Sequence, residues 1–146
     1  MHNGQIGGFD QFRRHADTKI SDNLYCNRRG ATDSEVLFLY ALQAGLERDP
    51  VRPVVEAHRT LEAMSRAQGT TPYLRSSVAW SDGERLFAMR LSSDHVAPSL
   101  YFRWNQSHLG WAVVSEPLED GQAGWHELPP GHAAVFEGRC VEVREV

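Results

Sequence analysis

The spacing of apolar residues changes once along this chain, at Gly69, and that change limits the folds open to it. Upstream, apolar side chains recur at the three-to-four-residue interval of a helix; downstream they alternate, as on a half-buried strand. Residues 1–70 therefore read mostly as helix and 71–146 mostly as strand. Helices followed by an antiparallel meander predict an α+β fold, with helices packed on one face of a sheet. At 146 residues the chain most simply makes one domain, residues 1–146.

Within the first half, Met1-His2-Asn3-Gly4-Gln5-Ile6-Gly7-Gly8 opens on a short polar stretch, expected where a strand has just ended in a turn. Phe9, Phe12, Arg13 and Ala16 then have helical spacing and predict a helix of about two turns, closed near residues 19–21. Leu24-Tyr25-Cys26 reads as a short apolar strand leading into an Arg28-Arg29-Gly30 turn. The clearest helix opens at Thr32-Asp33-Ser34-Glu35. Thr32 followed three residues later by Glu35 fits a capping box, in which hydroxyl and carboxylate reciprocally satisfy backbone N–H groups. Leu39, Leu42 and Leu46, with Phe38 alongside, supply its core face. Asp49-Pro50 and Pro53 break the pattern before a second helix over 54–68, with Val54, Ala57, Leu61 and Met64 on one side.

In the second half, Val78 and Trp80 alternate into Ser81-Asp82-Gly83-Glu84, and Phe87, Met89 and Leu91 alternate on the return. An Asp-Gly pair between such runs signals a hairpin, because the turn needs positive φ. Further strands are expected at 100–104, 112–115, 125–128, 133–136 and 139–143, punctuated by Pro117, Pro129-Pro130-Gly131 and Gly138.

Several function classes lose their footing on composition. Fifteen basic against 19 acidic residues leave a net charge of −4, and Arg13-Arg14 and Arg28-Arg29 are the only adjacent basic pairs. Nucleic-acid binding would need a basic stripe. The longest apolar run, residues 36–42, is far short of the roughly 20 residues of a membrane helix. Two cysteines, Cys26 and Cys140, suggest neither a disulfide framework nor a metal knuckle, so a reduced cytoplasmic setting is expected. Cys26 reads as a buried structural thiol. The histidines show no metal-ligand spacing, and most should lie on the surface or in loops. No metal and no cofactor are expected. Trp80, Trp104, Trp111 and Trp125 read as core or rim aromatics.

Two places could carry chemistry. Amide hydrolysis turns a carbonyl oxygen into an oxyanion, and donors must already point at it. Asn3-Gly4 offers a side-chain N–H beside a glycine N–H whose backbone can approach closely; alone, Asn-Gly is also a common turn dipeptide. Asp33, at a helix start, could pair with a substrate ammonium or simply complement the helix dipole.

Taken jointly, His2-Asn3-Gly4-Gln5-Ile6, a short helix carrying Arg13-Arg14, and Gly30-Ala31-Thr32-Asp33-Ser34-Glu35 resemble the class II glutamine amidotransferases, which are N-terminal-nucleophile hydrolases. Val114-Ser115-Glu116-Pro117-Leu118 and Trp125-His126-Glu127-Leu128-Pro129-Pro130-Gly131 look like that family's C-terminal segment. The resemblance implies part of a four-layer α-β-β-α sandwich and hydrolysis of glutamine or a γ-glutamyl amide. It implies Asn3 and Gly4 as the oxyanion hole and Asp33 as the binder of the substrate α-ammonium. In the family an N-terminal cysteine, using its own α-amine as base, lies upstream of His-Asn-Gly, as does an arginine and threonine-histidine segment that grips the substrate carboxylate. Neither has a match here, so the domain is expected to be truncated at its N-terminus and inactive by itself. The alternative is a non-catalytic remnant that binds a partner or a small amide. A shortened sandwich would expose strand edges, favouring a homo-oligomer or a partner chain over that edge.

Overall fold

Helical spacing in the first half becomes four helices: α1 (Phe9–Asp17), α2 (Asp22–Tyr25), α3 (Asp33–Gln43) and α4 (Arg52–Gln68). The computed structural model describes residues 1–117 and 124–146, which form two compact units: residues 5–74, and residues 1–4 with 75–146. In the first unit α1 buries Phe9, Phe12 and Ala16, while α4 buries a stripe that includes Val54, Ala57 and Leu61. Full burial of a side chain such as Leu61 (0% exposed) is worth roughly 1.5–3 kcal/mol relative to exposure. Proline in the first turn suits the start of α4, because its missing N–H has no helical partner there. Gly69 ends that helix at φ 74°, a left-handed cap that glycine adopts without a Cβ penalty.

The core face of α3 is wider than the spacing predicts. Val36, Leu37, Leu39, Tyr40 and Ala41 are buried, Leu42 and Leu46 only half so, and Phe38 is exposed. The reason is that α3 packs against both α1 and α4, so a single stripe does not cover its contacts. The Tyr40 hydroxyl donates to the Ala16 carbonyl at 2.9 Å, tying α3 to α1. Leu24 and Tyr25 lie in α2, not in a strand, because the chain turns at Ser21, whose carbonyl accepts from both their amides. Cys26 caps α2 and is exposed, which corrects the expectation of a buried thiol on a strand. His58 is buried in α4 with Nδ1 2.7 Å from the Val54 carbonyl, an exception to the surface placement expected of most histidines.

The second unit carries the strands, apart from the ends of two. A five-stranded sheet runs in the order β1 (His2–Ile6), β2 (Leu74–Ser81), β3 (Leu86–Ser92), β7 (His132–Glu137), β8 (Cys140–Glu145). A three-stranded sheet runs β5 (Gly110–Val114), β4 (Tyr101–Asn105), β6 (His126–Glu127). The β2–β3 hairpin pairs Ser81 with Leu86, and Gly83 takes φ 99° in the intervening turn, as the Asp-Gly signal predicts. His2-Asn3-Gly4 is itself strand rather than the turn after one. Met1 and Ala79 exchange two backbone hydrogen bonds, of 2.8 and 3.0 Å, which hold this segment against β2. Polar composition did not prevent pairing, because backbone groups make the ladder.

Alternation puts different residues on the two faces of the large sheet. Ala88, Ala134 and Phe136 meet Leu100, Phe102 and Leu128 in one cluster, with Phe102 and Phe136 edge-on at 5.3 Å. On the opposite face Val78, Phe87, Met89 and Ala133 are also buried. Arg90, buried on β3, donates to Glu127 Oε1 at 2.8 Å and to the Leu128 and Ala97 carbonyls at 2.5 and 3.0 Å. The expected segment 114–118 runs out of the described residues at Leu118. Among the described residues no helix is long and apolar enough to cross a membrane.

Candidate functional site

Gly4 has φ +147°, where L side chains rarely sit, and a Cβ placed there would overlap the Arg75 carbonyl oxygen and lie 2.9 Å from Ser76 Cα. The strand can lie this close to β2 only because residue 4 has no side chain. Its neighbour Asn3 is exposed, and among the described residues its carboxamide has no hydrogen-bond partner. An amide donor thus stands on a backbone whose path is fixed by contact rather than by a turn.

Within the unit of residues 5–74, the chain leaving β1 is pinned just as closely. Gly7 N donates to the Tyr73 carbonyl at 3.0 Å, and the buried Ser65 hydroxyl donates to the Gly7 carbonyl at 2.6 Å. A Cβ on Gly7 would strike the Pro72 carbonyl oxygen. Gly8 then takes φ 67° to start α1. The result aims the Ile6 amide at Asp33, and Ile6 N donates to Asp33 Oδ2 at 3.1 Å.

Asp33 is the first residue of α3 and is half-buried. Its Oδ1 accepts from Ser34 N at 2.8 Å, so the carboxylate satisfies a helix-start donor while sitting at the positive end of the helix dipole. It lines a cleft of about 400 Å³ with Ile6, Gly8, Phe9, Asp10, Gln11, Ala31 and Thr32. The cleft lies between the N-terminal turns of α1 and α3 and is large enough for a small amino acid. A carboxylate there suits an ammonium group.

The loop that delivers Asp33 is held by contacts that the capping-box spacing does not predict. Only half of the expected capping box forms: Thr32 Oγ1 accepts from Glu35 N at 3.4 Å, but the Glu35 carboxylate does not return to Thr32. It accepts instead from Arg29 N at 2.6 Å, Gly30 N at 2.8 Å and Arg28 Nη1 at 2.5 Å. Arg28, its side chain 6% exposed, also donates to Asp17 Oδ1 at 3.1 Å. The Arg29 amide first, with Gly30 and the Arg28 charge, holds the Glu35 carboxyl below its usual range. The available signal was the glutamate's place one turn into a helix beside paired arginines, which does not reveal its partners.

The structure brings Asp33 and Ile6 together, whereas Asn3 and Gly4 belong to the other unit. Cys26 does not line the cleft, and Cys140 lies on exposed β8. Among the described residues no group of three or more His, Cys, Asp or Glu could hold a metal ion.

No family model matches the chain, and no curated protein matches it. Solved structures do. One, described as a glutamine aminotransferase class-II domain protein from Silicibacter pomeroyi, is 52% identical with a TM-score of 0.93. The match covers 99% of this chain and 66% of that one.

Proposed function

We infer that this chain belongs to the class II glutamine amidotransferase family and forms the oxyanion-stabilising and ammonium-binding part of a site that hydrolyses the side-chain amide of glutamine or of a γ-glutamyl compound. The observation that carries this reading is the 52% identity and common backbone over nearly the whole chain. The two stacked sheets and the helical unit support assignment to the four-layer N-terminal-nucleophile hydrolase sandwich.

In the proposed mechanism Asp33 receives the α-ammonium of the substrate in the cleft beside α1 and α3. The Ile6 amide and the Arg28–Glu35 lock keep that carboxylate from following the ligand. The family resemblance gives Asn3 Nδ2 and the Gly4 amide as donors to the carbonyl oxygen as it gains charge, and donors fixed in advance lower such a barrier. The nucleophile is neither Cys26 nor Cys140. The family's chemistry assigns that role to a cysteine whose own α-amine takes its proton.

Calorimetric titration with L-glutamine tests the reading. The chain binds glutamine, and Asp33→Asn weakens binding roughly 10–100-fold, the worth of a charge-assisted hydrogen bond of about 1.5–3 kcal/mol. Asn3→Ala leaves this ground-state affinity within about 3-fold, because its donor acts on the transition state. Equal binding by the wild type and Asp33→Asn, or no binding by either, overturns the assignment.

A further inference from the structure

Among the described residues β8 ends the five-stranded sheet, and all six of its residues are exposed. Val141 and Val143 stand 36% and 41% accessible on one face; Cys140, Glu142 and Arg144 occupy the other. Its sequence, Cys140-Val141-Glu142-Val143-Arg144-Glu145, contains no proline, and its charges are of both signs, so whether they bar a second strand depends on the register.

Hydrogen-bond parity restricts what can add to this edge. Val146 N donates to the Gly131 carbonyl at 3.0 Å, continuing the register that pairs Glu145 with His132 and Arg144 with Ala133. Backbone groups of even-numbered residues therefore face β7, and those of Val141, Val143 and Glu145 face outward. In an antiparallel pair, directly opposed residues either both turn their amides toward each other or both turn them away. A second β8 related by a two-fold axis must then centre on a single residue. Centring on Glu142 opposes two glutamates, and centring on Arg144 opposes two arginines. Centring on Val143 opposes Glu142 to Arg144 on both sides, Val143 to itself, and Val141 to Glu145. Only this register pairs unlike charges while all three outward-facing residues exchange backbone bonds.

We propose that β8 is a homodimer interface at which two copies of this chain pair antiparallel about Val143, extending the sheet from one copy into the other. The interface is a single short strand on each side, so the dimer is weak and forms reversibly with concentration. It does not depend on the amide-hydrolysis reading, since β8 carries none of the residues assigned to that chemistry.

Sedimentation velocity over protein concentrations up to about 1 mM tests it, this being the affinity range of a small interface. The wild type moves from monomer to dimer as concentration rises. Val143→Pro removes an outward N–H that the β7 ladder does not use, so it leaves the circular dichroism spectrum unchanged and abolishes the dimer. Glu142→Arg opposes arginine to arginine, and Arg144→Glu opposes glutamate to glutamate. Each weakens association at least about 10-fold, and the double exchange restores it to within about 3-fold. A wild type that stays monomeric throughout overturns the proposal. So does a dimer that survives Val143→Pro, or a double exchange that recovers nothing.

Discussion

At the residue scale, Asn3 and Gly4 are adjacent but constrained by different physics. Gly4 is required by the backbone: its φ of +147° and the nearness of Arg75 and Ser76 leave no room for a Cβ. Gly4→Ala must therefore push β1 away from β2, and is expected to cost more than about 1–3 kcal/mol, the worth of one strained residue, because overlap with the backbone adds to the strain. Urea unfolding measures this, and a loss below about 0.5 kcal/mol would show that β1 shifts freely. Asn3, exposed and without a side-chain partner among the described residues, contributes little to the fold. Asn3→Ala should leave the unfolding midpoint unchanged yet lower kcat roughly 10²–10³-fold in a form of the enzyme that turns over glutamine. An unchanged kcat would reduce Asn3 to a surface residue. The identity of this pair was legible in the sequence; its place in a strand was not, because Asn-Gly has the same local preference for turns wherever it occurs.

At the element scale, α3 is held in place by what its first turn grips outside the helix. The Glu35 carboxyl is held low chiefly by the Arg29 amide, so its ionised form is favoured in the folded state. That stabilisation is fully present above the ordinary carboxylate pKa and is lost as pH falls through the lowered folded value. Glu35→Gln should accordingly shallow the acid limb of the stability–pH profile and weaken glutamine binding through a looser Asp33, with no change near neutral pH in the circular dichroism of α4. An acid limb that matches the wild type would remove Glu35 from the lock. Tyr40 works at the other extreme: burial, aided by the Asp17 charge, pushes its hydroxyl up to about 12 from 10.0. The protonated form is favoured on folding, so this contribution holds below pH 10 and is lost as pH rises toward about 12. Tyr40→Phe removes the bond to the Ala16 carbonyl at a cost of about 1 kcal/mol and abolishes that alkaline loss. Thermal melts between neutral pH and pH 11 measure both effects. The start of α3 at Thr32 could be read from side-chain chemistry. The fate of Glu35 could not, since the Thr-x-x-Glu spacing allows a closed box, and the Arg29 and Gly30 amides with the Arg28 guanidinium capture the carboxylate instead.

At the scale of the whole molecule, the chain carries two thiols and neither stands in the cleft. An electrophilic glutamine analogue should therefore react with Cys26 and Cys140 no faster than a simple alkylating reagent of equal reactivity, as intact mass spectrometry would record. Stoichiometric labelling accelerated by the glutamine moiety would instead identify one of them as a nucleophile. Apart from β1, which pairs ahead of α1, the order of helices before strands was determined by the sequence alone, as were the hairpin turn at Gly83 and the opening of α3. These depend on the period of apolar residues and on turn chemistry, which are local properties that a chain carries before it folds. Tertiary structure alone decided that Ile6 grips Asp33 across 27 residues, that Ser65 fastens the Gly7 carbonyl across 58, and that β8, last in its sheet among the described residues, turns the amides of Val141, Val143 and Glu145 outward. Each of these depends on which backbone donors and acceptors packing brings within 3 Å or so of one another, and every residue except proline carries the same backbone pair.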